Sequence, residues 1–138
     1  MTRSDDELPQ GPVPGRGRGL VLILESDGPI RDLVAEWLEM LEYRSMHVPD
    51  VAAAARVAQC DLVLLDIPAT LRAARESIAS LAAAVPRTPI VAMSADVLAS
   101  GPSAAEGLAR ELGVAAVLVK PFGREALMQA VAQARVPT

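Results

Sequence analysis

From Leu20 onward, short unbroken apolar runs alternate with stretches whose apolar residues recur every three or four positions. The runs are Leu20 to Leu24 (LVLIL), Leu62 to Leu65 (LVLL), Pro89 to Met93 (PIVAM) and Ala115 to Val119 (AAVLV). They lack the alternation of a half-buried strand and read as strands covered on both faces. Tyr43 to Val48 (YRSMHV) alternates weakly and fits an edge strand. Between the runs, Ile30, Leu33, Val34, Trp37, Leu38 and Leu41 share one helical face, as do Leu71, Ala74, Ile78, Leu81 and Val85, and Leu127, Ala130, Val131 and Ala134. Boundary residues agree: Asp50 can cap an Ala-rich helix over 51–59, Ser103 and Glu106 form a capping box, and Gly113 ends the helix that the box begins. Five strand-then-helix units in succession predict an α/β domain with a parallel sheet, right-handed crossovers and helices on both faces. At 138 residues an open doubly wound sheet of five strands is the economical solution, since an eight-fold barrel needs about twice the length.

The leader differs. Residues 1–19 hold three Pro and four Gly with almost nothing to bury, so a disordered N-terminal arm is expected there, and a single domain over 20–138. GRGRG within it, a weak anion-binding pattern, reads better as a flexible leader. Composition then constrains the core. The chain is 51% hydrophobic but 2% aromatic, so Ala, Val, Leu and Ile must fill it, with Trp37, Phe122 and Tyr43 as the large pieces. Trp37 and the methionines at 40, 46, 93 and 128 are expected to be packing residues.

Charge and cysteine content narrow the function classes. A net charge of −4 with scattered basic residues argues against nucleic acid. Cys60 stands alone, which excludes a disulfide framework and makes a reducing cytoplasm the default. No signal peptide or membrane-length apolar stretch appears, so no membrane role is expected. His47, the lone histidine, falls on the edge strand with no motif tying it to a nucleophile.

Candidate chemistry lies at the strand ends, because open α/β sheets bind ligands outside the carboxyl ends of their strands. The first strand closes on Glu25-Ser26-Asp27, the third on Asp66, the fourth on Ser94 and the fifth on Lys120-Pro121. Taken singly, each has a bland reading. Asp27 before Gly28-Pro29 suits a helix cap, Ser94 a turn and Lys120 a solvated lysine; Asp66, followed by Ile67 and Pro68, fits capping least well. Together, carboxylates on adjacent strand ends can hold Mg²⁺, and a lysine and hydroxyl can bind phosphoryl oxygens.

The stretches VLILESDGPIRDLV, DLVLLDIP, TPIVAMSA and VLVKPF, in that order, resemble the receiver domain of bacterial two-component response regulators across residues 20–136. The resemblance implies a flavodoxin-like (βα)5 fold with strand order 2-1-3-4-5, and a cytoplasmic phospho-acceptor rather than a turnover enzyme. It implies Asp66 as the acceptor, with Ser94 and Lys120 contacting the phosphoryl group, and a cis Lys120-Pro121 bond. It further implies Mg²⁺ held by Glu25, Ser26, Asp66 and the carbonyl of Pro68, with Asp27 a further candidate. Expected partners are a sensor histidine kinase or phosphotransfer protein and a downstream protein of unknown identity, with a second copy of the chain, through the Ala-rich helix SAAEGLARELG, as another. No output domain is expected after Thr138, so such a domain is expected to act by docking or to belong to a longer chain.

Three departures weaken this resemblance. Ser26 stands where the receiver pattern has a second acid, and a neutral hydroxyl is a poorer Mg²⁺ ligand than a carboxylate. Val117 stands where an aromatic side chain commonly reports phosphorylation, and IPATLRAARES replaces the usual loop after the acceptor. The alternative is a degenerate receiver that binds a protein partner without phosphorylation. ESDG is also reminiscent of haloacid-dehalogenase-type phosphatases, with Glu25 in the nucleophile's place, but that reading leaves Asp66 without a role.

Overall fold

The structure, a computed structural model, describes residues 18–57, 59–95 and 104–135. Five parallel strands, β1 (Leu20–Leu24), β2 (Arg44–His47), β3 (Leu62–Asp66), β4 (Ile90–Ala95) and β5 (Ala116–Lys120), form one sheet in the order β2-β1-β3-β4-β5. The alternating helices are α1 (Gly28–Met40), α2 (Val51–Ala55), α3 (Leu71–Ala84), α4 (Ala104–Leu112) and α5 (Arg124–Arg135). This is the open doubly wound sheet expected from the pattern, in the flavodoxin-like strand order that the resemblance implied.

Successive strand residues point to opposite faces, so unbroken apolar runs supply two cores at once. Leu22, Leu24, Val63, Leu65 and Ala92 pack with Ala74, Ile78 and Leu81 of α3 and with Leu108 and Leu112 of α4. Val21, Ile23, Leu62, Leu64 and Met93 pack with Val34 and Leu38 of α1 and with Leu127 and Val131 of α5. Each fully buried Leu or Val stabilises the fold by roughly 1.5–3 kcal/mol relative to exposure. β2 is the exception, exposed at Arg44, Met46 and His47, as a short edge strand with a charged rim should be.

Side-chain caps set the helix starts. Asp27, Asp50 and Thr70 accept from the backbone N–H groups of Ile30, Ala53 and Ala73 at 3.1, 2.8 and 3.2 Å. Gly113 ends α4 with φ +73°, the left-handed conformation a helix C-terminus favours. At Gly19, φ is +134° and a Cβ would run into the Asp61 carboxylate, which accepts the Leu20 N–H at 2.8 Å. Arg18 and Gly19, at the end of the expected arm, thus bond to the sheet: the Arg18 N–H reaches Glu42 O and Gly19 O accepts from Arg44. Residues 1–17, and Ser103 of the expected capping box, lie outside the described residues.

Two expectations need correction. α2 ends at Ala55, not at residue 59. Val57 and Cys60 are drawn against the core beneath, and the Asp61 N–H must reach Leu20 O at 2.8 Å, which a continuing helix would prevent. Of the four methionines expected to pack, only Met93 is buried, while Met40, Met46 and Met128 are exposed at 57, 44 and 41%. Met40 and Met128 occupy the outer sides of α1 and α5, where the Met40 sulfur lies 4.0 Å from the Arg124 guanidinium.

Candidate functional site

The register explains why distant residues meet. Leu24 lies opposite Leu65, so Glu25 and Asp66 follow side by side at the ends of β1 and β3. Asp66 lies opposite Met93 on β4, and Ala95 lies opposite Lys120 on β5. With strands about 4.8 Å apart, only a long side chain can cross from β5 past β4 to the two carboxylates. Lys120 does so: its Nζ donates to Asp66 Oδ1 at 2.8 Å and to Glu25 Oε1 at 2.7 Å. The three groups tie together the ends of β1, β3 and β5.

The two carboxylates are held differently. The Glu25 side chain is 2% exposed, and its second oxygen accepts the Asp27 N–H at 3.1 Å, so both oxygens have partners. The Asp66 side chain is 34% exposed, and its Oδ2 has no hydrogen-bonding partner among the described residues. Burial alone would lower the Lys120 pKa, but hydrogen bonds to Asp66 and Glu25 and their negative charge outweigh it and hold the ammonium above the ordinary lysine range.

The remaining expected site residues are arranged less favourably. Asp27 is exposed and serves as the α1 N-cap. Ser26 and Pro68 are exposed at the same rim. Ser94 is fully buried, but its hydroxyl donates to the carbonyl of Ala95 at 2.9 Å rather than to Asp66. The Lys120-Pro121 bond is cis. Among the described residues, no group of three His, Cys, Asp or Glu side chains converges closely enough to hold a metal ion. As arranged, the donors fall short of the several oxygens a hard divalent cation takes.

Outside this cluster, His47 Nε2 lies 3.5 Å from the Arg31 guanidinium. Cys60 is half-buried 3.9 Å from the Thr88 hydroxyl; burial and the nearby Asp61 charge push its thiol up, against the lowering effect of Thr88.

Two hollows flank the rim. One, of about 400 Å³, is walled by Ile30, Leu33 and Trp37 of α1 and by Lys120, Pro121 and Phe122, with the Trp37 and Phe122 ring centroids 6.4 Å apart. The other, of about 520 Å³, opens between α4 and α5 over Val117. Its walls include Ala105, Ala109, Ala126 and Ala130.

Sequence reasoning gathered the rim residues but overlooked one compositional signal. Lys120 is the one lysine in the chain; the other twelve of its 13 basic residues are arginines. A compact ammonium can sit between two carboxylates where a planar guanidinium fork would demand a wider space.

No family model matches the sequence, and comparison with curated proteins finds no match. Comparison with solved structures does find relatives in fold. The chain is similar to the signal receiver domain of a putative Luxo repressor protein from Vibrio parahaemolyticus, with TM-score 0.63, 19% identity, and coverage of 83% of this chain and 88% of that one. It is similar to the chemotaxis response regulator CheY4 of Vibrio cholerae, with TM-score 0.64, 22% identity, and coverage of 83% and 97%. It also matches NtrX from Brucella abortus with TM-score 0.66 and 22% identity, covering 85% of this chain and 26% of that one. The fold is that of the CheY-like receiver domains.

Proposed function

We propose that this domain is a receiver-type signalling module in which Asp66 accepts a phosphoryl group and the result is read by a docked protein. The observation that carries the reading is the Lys120 ammonium at 2.8 Å from Asp66 Oδ1, at the carboxyl rim of a receiver fold. Asp66 is the accessible carboxylate of the pair, so a donor can reach it; Glu25 is buried with both oxygens engaged. That contrast also removes support from the phosphatase reading, which requires residue 25 as nucleophile.

In the proposed step an Asp66 oxygen attacks phosphorus, forming a P–O bond as the donor's bond to phosphorus breaks. The leaving group is a histidine imidazole, which takes up a proton, or acetate when acetyl phosphate is the donor. The acyl phosphate adds negative charge and acceptor oxygens beside Lys120, so the ammonium is drawn from Glu25 toward the phosphoryl oxygens. Histidine kinases or phosphotransfer proteins are the proposed donors. The domain accepts and passes on a group rather than turning over a substrate. Among the described residues no helix is long and apolar enough to cross a membrane.

A second reading has its own support. Ser26 is neutral and exposed, and Val117 leaves an open groove of about 520 Å³ where an aromatic switch residue was expected. These favour an adaptor that docks its partner without phosphorylation. Incubation with acetyl phosphate separates the two: a mass increase of one phosphoryl group, lost in Asp66→Asn, supports the acceptor, and an unlabelled wild type leaves the adaptor.

A further inference from the structure

We propose that the cation of this site is the Lys120 ammonium itself, and that the domain takes no divalent metal ion at Asp66. The inference deepens the proposed reading of the rim, but its test stands apart from phosphorylation. A divalent cation beside Asp66 needs at least one more anionic oxygen. Three neighbours could supply it, and none is arranged to do so. Ser26 carries a neutral hydroxyl. Asp27 has its Oδ1 on the Ile30 N–H at 3.1 Å, which ties the carboxylate to the positive end of α1, and among the described residues it does not converge with Glu25 and Asp66 closely enough to hold a metal ion. Glu25 has one oxygen on Lys120 at 2.7 Å and the other on the Asp27 N–H at 3.1 Å, and its side chain is 2% exposed, so turning outward would break both bonds and leave the partly buried ammonium half-paired.

Asp66 alone remains, and its Oδ1 already accepts from Lys120 at 2.8 Å. The ammonium repels a second cation drawn to the same oxygens. The cluster of Glu25, Asp66 and Lys120 is thus a closed latch across β1, β3 and β5. The charge on Asp66 is balanced from within the chain.

Titration of the full chain with Mn²⁺ and Mg²⁺, followed by calorimetry and by water-proton relaxation for Mn²⁺, tests this directly. The wild type and Asp66→Asn should bind equally weakly and without a saturating site. Ser26→Asp, an exposed change that adds a carboxylate beside Asp66, should bind at least about tenfold more tightly, and Ser26→Asp/Asp66→Asn should lose that gain. Saturable wild-type binding that Asp66→Asn abolishes would overturn the proposal, as would a Ser26→Asp chain that binds no better than wild type. Circular dichroism melts of each variant confirm that folding is retained. Failure of acetyl phosphate labelling sinks the acceptor role and leaves this inference standing; wild-type metal binding does the reverse.

Discussion

The ends of β1 and β3 present the same chemical group in neighbouring positions with opposite consequences. Glu25 is sealed in, with a partner for each oxygen, while Asp66 is a third exposed with one oxygen open. A carboxylate of the first kind is structural: its charge is retained only because an ammonium and a backbone N–H replace water. One of the second kind can change its chemical state without dismantling the fold. Sharing one lysine joins the two, so what happens at Asp66 is felt at Glu25.

Removing the shared cation should produce the largest effect. Lys120→Met keeps the apolar stem but leaves Glu25 buried and uncompensated, at a cost of about 3–5 kcal/mol in urea unfolding. Alkali attacks the same contact. The folded pKa of Lys120 is raised, so its contribution is fully present below the unfolded lysine value of about 10.4 and is lost as pH rises through the folded value. Thermal melts should therefore show a fall in stability above that pH that Lys120→Met lacks.

Glu25→Gln should come next. Its amide can still accept from Lys120 through oxygen, but its NH₂ cannot accept the Asp27 N–H, so a loss of about 1–3 kcal/mol is expected by the same assay. Asp66→Asn should cost least, at most about 1 kcal/mol, because its ion pair is solvent-screened. Equal losses at the two positions would dissolve the distinction between a buried structural carboxylate and a solvent-facing one. A double-mutant cycle sharpens it, with a larger coupling of Lys120 to Glu25 than to Asp66.

The same contrast marks how far the chain could be read. Four of the five strands were legible because both-face burial leaves an unbroken apolar run, and β2 from its weak alternation as an exposed edge strand. α1, α3 and α5 were legible from their three-and-four periodicity. α2 was overextended because an Ala-rich segment has helical propensity at every residue, and only the core beneath Val57 and Cys60, with the hydrogen bond from Asp61 to Leu20, stops it. The exposed methionines were missed because residue type does not say which side of a helix meets the sheet.

At the site, sequence by itself determined which residues arrive at the rim: a strand's register fixes its last residue once its apolar run is set. Glu25, Asp66, Ser94 and Lys120 were placed that way. Tertiary structure decided what each does there. Whether Asp27 serves the helix or the rim, whether Glu25 has an oxygen to spare, and which carboxylate faces solvent depend on partners up to 95 residues apart. Charges respond to the local arrangement of partners and water, which falls off within a few ångströms and is invisible until the sheet has brought the strands together.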